Sequence, residues 1–229
     1  MKILTPLQEE LLRIFAGIEE SNLFYLTGGT ALAAIYLKHR YSRDLDLFTG
    51  KEEIIGYVGD RILNSLKSGS IKAEATRKFK SFYEILIRKE DLECPIHLAL
   101  DSPFRFEEPK ENLYGVKIDS FIDIATNKLL ALFGRTEPRD FVDVFFLLKK
   151  HFPLEELIEK SRQKDPGLDD YYLAIAFLQA EELPDDLSKL PVKMVKPLDL
   201  KEMKEYFIRQ ALLLIEKAKK SASQRDAVS

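Results

Sequence analysis

Tryptophan is missing from this chain of 229 residues, and cysteine occurs once, as Cys94. A lone cysteine excludes an intrachain disulfide and any zinc site assembled from cysteines. No run of about 18 apolar residues occurs, so no segment reads as a membrane-spanning helix. The opening "MKILTPLQEELL" meets acidic residues within its first turns and does not follow the basic, apolar, small-residue order of a secretory signal. Together these absences point to the cytoplasm. A strong charge of one sign is missing too: 38 acidic residues face 35 basic ones, for a formal net charge of −3. The global field therefore does not draw in nucleic acid, and any contact with RNA or a nucleotide must come from a local patch.

What is present is apolar material, 45% of the residues, enough to bury a core in one elaborate domain or a domain with an appendage. "TPLQEELLRIFAGIEE" places Leu7, Leu11, Ile14, Phe15 and Ile18 at helical spacing behind a Thr5 cap and Pro6 at the first helical position. "NLFYLTGG" reads as a buried strand ending at Thr27, "TALAAIYLKHR" as a helix from near Thr30, and "RDLDLF" as a half-buried strand of period two. A helix follows over "EEIIGYVGDRILNSLKSG", with Gly69 marking its end. "FYEILI" and "PIHLAL", joined by the charged "RKEDLE", predict a hairpin beside the "DLDLF" strand. From about Ser120 onward the pattern is helical, broken by Pro184, Pro191 and Pro197, and the last residues "SASQRDAVS" read as a frayed tail. The expected organisation is a catalytic domain over 1–150, a helical region over 151–220 and a disordered tail over 221–229.

The chemistry concentrates in "LTGGTALAAIYLKHRYSRDLDLF". Asp44 and Asp46 stand two apart on a strand, so both carboxylates share a face while Leu45 and Leu47 turn to the core. At roughly 6 to 7 Å in an effective dielectric near 20, two such charges repel by about 2 to 3 kcal/mol, a cost that a bound divalent cation reverses. Carboxylate oxygens suit Mg²⁺ or Mn²⁺, which bind one or two of them together with substrate phosphates. At the other end, Gly28 and Gly29 before a helix leave backbone N–H groups open to phosphate oxygens, and Thr30 adds a hydroxyl. Alone, a glycine pair is more often a turn and Asp-x-Asp on an edge strand a solvated face. Joined by one helix that brings both to one edge of a sheet, they form the parts of a metal-dependent phosphoryl- or nucleotidyl-transfer site. His39 and Arg40 precede the aspartates, either as a basic pair at a helix C-terminus or as contacts to nucleotide or acceptor.

This segment, followed by "DSFIDIATNKLLALFGRTEPRDFVDVFFLL", resembles the AbiEii/AbiGii-type nucleotidyltransferases, a branch of the polymerase-β-like superfamily that includes toxins of toxin-antitoxin and phage-abortive systems. The two blocks span about Leu26 to Leu148. The resemblance implies an α+β nucleotidyltransferase fold, with a small mixed sheet flanked by helices and a helical C-terminal portion. It also implies transfer of a nucleoside monophosphate from an NTP to an acceptor, a tRNA 3′ end or a protein, and an antitoxin protein as a partner. By position, Gly29 and Thr30 match the phosphate motif, Asp44 and Asp46 the metal pair, Lys128 the triphosphate lysine and Asp143 a late helical aspartate, with Arg40, Ser42, Arg139 and Asp140 at characteristic positions.

Lys128 interrupts an apolar helix, as a snorkelling lysine or a phosphate contact does. Arg139, Asp140 and Asp143 read as a surface ion-pair helix or as an orienting network for Lys128. For the superfamily's third carboxylate, the general base, Asp101 and His97 both offer themselves on "PIHLALD". Two other readings stay open: a catalytically weak nucleotide-binding or interaction module, and a phosphotransferase on the same fold.

Overall fold

The computed structural model describes residues 2–67, 71–110 and 112–226, with side chains as far as 220. It forms two compact units, Met1–Ile124 and Ala125–Ser229.

In the first unit, α1 (Pro6–Ala16) starts at a capping box: Thr5 Oγ1 accepts from Gln8 N, and Gln8 Oε1 accepts from Thr5 N at 2.9 Å. Its apolar face buries Leu7, Leu11 and Phe15, and the Phe15 ring meets Phe24 edge-on at 5.7 Å. The strands that follow are β1 (Tyr25–Thr27), β2 (Leu45–Thr49), β3 (Lys72–Lys78), β4 (Phe82–Lys89), β5 (Leu92–Leu100), β6 (Asn112–Leu113) and β7 (Val116–Ile118). They form one mixed sheet in the order β3-β4-β5-β2-β1-β7-β6. The predicted hairpin is β4 with β5, and β5 lies parallel to β2, with Leu45 opposite Ile96 and Leu47 opposite Leu98. One face of this sheet is the core: Leu26, Leu45, Leu47, Tyr83, Ile85, Ile96 and Leu98 are all buried. Helix α3 (Glu52–Leu66) adds Ile55, Val58 and Ile62 to that core. The expected Gly69 boundary lies outside the described residues.

Two expectations are corrected. The glycine–carboxylate segment sits mid-sheet rather than at an edge, because β7 pairs in parallel with β1 on one side and β5 with β2 on the other. The helix begins at Gly28, not near Thr30: α2 (Gly28–Ala31) continues without a break as π-helical turns over Leu32–Leu37. Gly28 at φ 66 turns the chain straight from β1 into helix, a conformation that costs an L-residue with a side chain about 1–2 kcal/mol. Lys38, at φ 52, closes the other end.

The second unit takes in most of α4 (Phe121–Arg135), then α5 (Pro138–Lys150), α6 (Leu154–Lys164), α7 (Asp170–Leu178) and α8 (Leu200–Asp226). Phe207 centres its core, meeting Phe141 and Phe177 at 5.1 Å each. Asp169 caps α7 by accepting from Tyr171 N at 2.8 Å. In the proline-rich interval the chain makes short 3₁₀ turns at Gln179–Glu182 and Leu187–Lys189. The α8 backbone runs into the 221–229 segment, whose side chains and last three residues lie outside the described part. No described helix is long and apolar enough to cross a membrane.

Candidate active site

The face of the sheet opposite the core carries a polar row, one residue per strand. Thr27 on β1 lies opposite Asp46 on β2, Asp46 opposite His97 on β5, and His97 opposite Glu84 on β4. Strand alternation creates this row: Leu45 and Leu47 point inward, so Asp46 points outward. His97 Nδ1 is 2.8 Å from Asp46 Oδ1, and its Nε2 is 3.3 Å from Glu84 Oε2. Burial disfavours the imidazolium, yet the hydrogen bond and charge of Asp46, with Asp44 and Glu84 behind it, prevail and raise the His97 pKa.

The glycine turn closes directly on this row. A Cβ placed on Gly28 would lie 2.1 Å from Asp46 Oδ2, so absence of a side chain is what lets the turn meet the carboxylate. A Cβ on Gly29 would fall 2.6 Å from Arg40 Nη2 and 2.9 Å from Ser42 Oγ. Gly28, Gly29, Arg40, Ser42 and Asp46 are therefore in one cluster, although Ser42 and Asp46 come after the intervening helix. Arg40 and His39 are buried, and Arg40 Nη1 donates to the Tyr41 carbonyl at 2.9 Å. The Thr30 hydroxyl, also buried, donates to the Asp44 carbonyl and so ties the helix to the entry of β2. Gln8 reaches across from α1 and donates to the Ser42 and Arg43 carbonyls at 2.9 and 3.0 Å. These bonds fix the backbone on which Asp44 and Asp46 stand.

The N-cap side chain makes no capping hydrogen bond to the helix at Gly28. Thr27 holds the N-cap position in an extended conformation, but its hydroxyl donates to Asp119 Oδ2 at 2.6 Å. The first amides of the helix, which starts beside Asp46, are thus not capped by Thr27; uncapped amides at a helix start are groups that take phosphate oxygens.

Asp101 follows β5 and is engaged elsewhere. It accepts from the Tyr25 hydroxyl and from Arg105 Nη1, the latter at 2.8 Å. Arg105 also pairs with Asp119 and lies 4.2 Å from the centre of the Tyr25 ring. Burial, followed by Asp101, drives the Tyr25 hydroxyl pKa far upward. His97, not Asp101, is the group that touches Asp46.

In the second unit, Lys128 is buried with its Nζ 2.7 Å from Asp143 Oδ2 and 3.5 Å from Asp140 Oδ1. Arg135 closes on the same Asp140 at 2.7 Å, and Arg139 pairs with Glu137 at the surface. Asp140 and Asp143 thus surround Lys128 within a buried network.

Among the described residues no group of three or more His, Cys, Asp or Glu side chains is arranged to hold a metal. Asp44 and Asp46 are two hard-oxygen donors, Asp46 directly beside the glycine turn, a set that fits a cation completing its shell with phosphate and water. The side chains that the sequence did not single out are Glu84, Asp119, Arg105 and Gln8. Glu84 was visible in the alternation of "FYEILI", whereas nothing in spacing links Asp119 to a threonine 92 residues earlier.

A mixed sheet whose central strands are joined by a glycine turn and a helix, with carboxylates set against that turn, has the fold of nucleotidyltransferase toxins. The chain belongs to the family described as "Nucleotidyl transferase AbiEii toxin, Type IV TA system", which it matches over residues 10–218. It is 28% identical over 196 residues to the uncharacterized protein aq_aa25 of Aquifex aeolicus (strain VF5), covering 82% of this chain and 88% of that one. In fold it is similar to MenT4, a nucleotidyltransferase toxin of Mycobacterium tuberculosis H37Rv, with TM-score 0.61, 16% identity and coverage of 91% of this chain and 82% of the other. JHP933 of Helicobacter pylori is similar as well, with TM-score 0.56, 21% identity and coverage of 97% and 94%.

Proposed function

We propose that this chain is a metal-dependent transferase that moves a nucleoside monophosphate from an NTP to an acceptor hydroxyl and releases pyrophosphate. The observation that carries this reading is the closeness of Asp46 to the Gly28 turn, which sets a carboxylate beside the start of a helix that Thr27 leaves uncapped. The amides of the turn bind the phosphates of the donor. Asp44 and Asp46 hold a Mg²⁺ or Mn²⁺ ion, which when bound offsets phosphate charge and lowers the cost of placing two carboxylates side by side. His97 holds Asp46 in one orientation while Glu84 steadies the far side of the imidazole. In the reaction the acceptor oxygen forms a bond to the α-phosphorus, the bond from the α-phosphorus to the bridging oxygen breaks, pyrophosphate leaves with that electron pair, and the acceptor proton passes to solvent or to a base.

The family supports an antitoxin as partner and a toxin's role in arresting growth, with a tRNA 3′ end or a protein as acceptor. Incubating the purified chain with each labelled NTP, Mg²⁺, tRNA and a protein extract tests the reaction. Label should enter one of the two pools, and Asp44→Asn with Asp46→Asn should reduce it at least a hundredfold. Equal labelling by the double variant would overturn the assignment of the two aspartates. The pairing of both His97 nitrogens with carboxylates favours one alternative, a chain that binds nucleotide but transfers it weakly. Calorimetry would then register NTP binding with no release of pyrophosphate. A product heavier by one phosphate instead of one nucleotide would identify a phosphotransferase.

A further inference from the structure

Asp119 follows β7 and is fully buried. Its amide donates to the Leu26 carbonyl at 2.9 Å, and its own carbonyl accepts from the Tyr36 hydroxyl at 2.7 Å. Tyr36 sits on the helical segment that starts at Gly28, and its ring stacks on Phe121 at 4.6 Å. The Asp119 carboxylate divides its two oxygens: Oδ2 accepts from Thr27, while Oδ1 accepts from Ser120 N and pairs with Arg105. One residue therefore grips the last two residues of β1 and the helix beyond the turn.

The hydroxyl of Thr27 decides what this grip does. A threonine at an N-cap ordinarily turns its oxygen to an amide two or three residues on, here Gly29 or Thr30. Those are the amides that the proposed phosphate site needs. Asp119, paired with the Arg105 guanidinium, is the stronger acceptor and receives the hydroxyl's hydrogen bond instead, because a hydrogen bond to an ionised oxygen outweighs one between neutral groups.

We propose that Asp119 is a positioning residue for the donor nucleotide: by accepting the Thr27 hydroxyl it keeps that oxygen off the amides after Gly28 and leaves them to the phosphates. This rests on the reading of the Gly28 turn as the phosphate site. Asn in place of Asp119 has one acceptor oxygen where there were two, and Arg105 and Ser120 compete for it. Thr27 is then released to cap the helix and becomes an internal competitor of the phosphates. Removing the oxygen from Thr27 removes that competitor.

The test measures KM and kcat for nucleotide transfer, and NTP affinity by calorimetry, in the wild type, Asp119→Asn, Thr27→Val and the double variant. Asp119→Asn should raise KM and weaken NTP binding about fivefold, the size of one capping hydrogen bond, with a much smaller effect on kcat. In the double variant KM should return to that of Thr27→Val alone. Thr27→Ser, which keeps the hydroxyl, should combine with Asp119→Asn without any such return. A double variant as weak as Asp119→Asn, or an Asp119→Asn chain with unchanged KM and affinity, overturns the proposal while leaving the transferase reading intact. A wild type that binds no NTP overturns both. Asp119→Ser, too short to reach Thr27, carries the same expectation where Asp119→Asn does not fold; failure of both to fold makes Asp119 a purely structural residue and overturns the proposal.

Discussion

At the scale of single residues, the site depends on missing side chains as much as on present ones. Gly28 answers two constraints at once: its φ of 66 belongs to the left-handed region, and Asp46 occupies the space a Cβ would need. The nearest Asp46 atoms include Cβ itself, at 3.1 Å from the position a new methyl would take, so the aspartate cannot escape by a rotamer change alone. Gly28→Ala should therefore lower stability by about 1–2 kcal/mol for the backbone and displace the carboxylate as well. Nucleotide transfer should fall at least tenfold while the chain stays folded, a comparison that incorporation assays and thermal melts make together. Full activity in Gly28→Ala would separate the turn from the chemistry. Thr30 shows a different use of a residue chosen for its hydroxyl: its oxygen is committed to the Asp44 carbonyl and orients the strand that carries the aspartates.

At the scale of elements, α3 lies on the sheet through a glycine, and a second glycine on the same helix serves as its control. A Cβ on Gly59 would come within 2.1 Å of the buried Tyr83 ring, whose hydroxyl is tied to Asp60 at 2.8 Å. A Cβ on Gly56 would meet nothing within 4 Å. Helix propensity favours alanine at both positions by up to about 1 kcal/mol. At Gly59 the overpacking cost of roughly 1–3 kcal/mol wins. Gly56→Ala should raise the melting temperature and Gly59→Ala lower it, and a melt of both variants beside the wild type reads the two signs directly. The same elements show what a sequence can reveal. The run from β1 through the glycine turn to β2 was legible because its signals are local: period two around Asp46, glycines at a corner, helical spacing between. The hairpin of β4 and β5 was legible for the same reason. β7 was not, since three residues of "VKI" are too few to display a period and its partner residues on β1 lie 92 positions earlier. With β7 hidden, Asp119 had no visible connection to Thr27. The π-helical turns from Leu32 to Leu37 have no residue signature either. The helix starts two residues before the expected Thr30 because Gly28, at φ 66, turns the strand directly into helix where a glycine pair reads as a turn.

At the scale of the whole molecule, a net charge of −3 spread over 73 charged residues leaves pH dependence to a few groups in special surroundings. Two of the three histidines have shifts of opposite sign. His97 has its pKa raised, because Asp46, Asp44 and Glu84 outweigh the burial that opposes them. Its folded form keeps a proton that the unfolded chain would release, so its stabilisation is complete below about 6.5, the unfolded value, and disappears as pH rises through the folded pKa. His151 ends α5 partly buried beside Lys196 and Lys150, and burial first, then those two cations, lower its pKa. Between that lowered value and about 6.5 the unfolded chain binds the proton and the folded chain does not, so stability is lost as pH falls through this window. The two contributions meet near the ordinary histidine pKa, one falling away on the alkaline side and the other on the acid side. Denaturant midpoints measured from pH 5 to 8.5 should show His151→Asn flattening the acid limb relative to the wild type, and His97→Asn flattening the alkaline limb. A His151→Asn curve parallel to the wild type below pH 6.5 would remove the lysine pair as the cause, and a His97→Asn curve parallel above it would mean that the Asp46–His97–Glu84 row does not hold a proton in the folded chain.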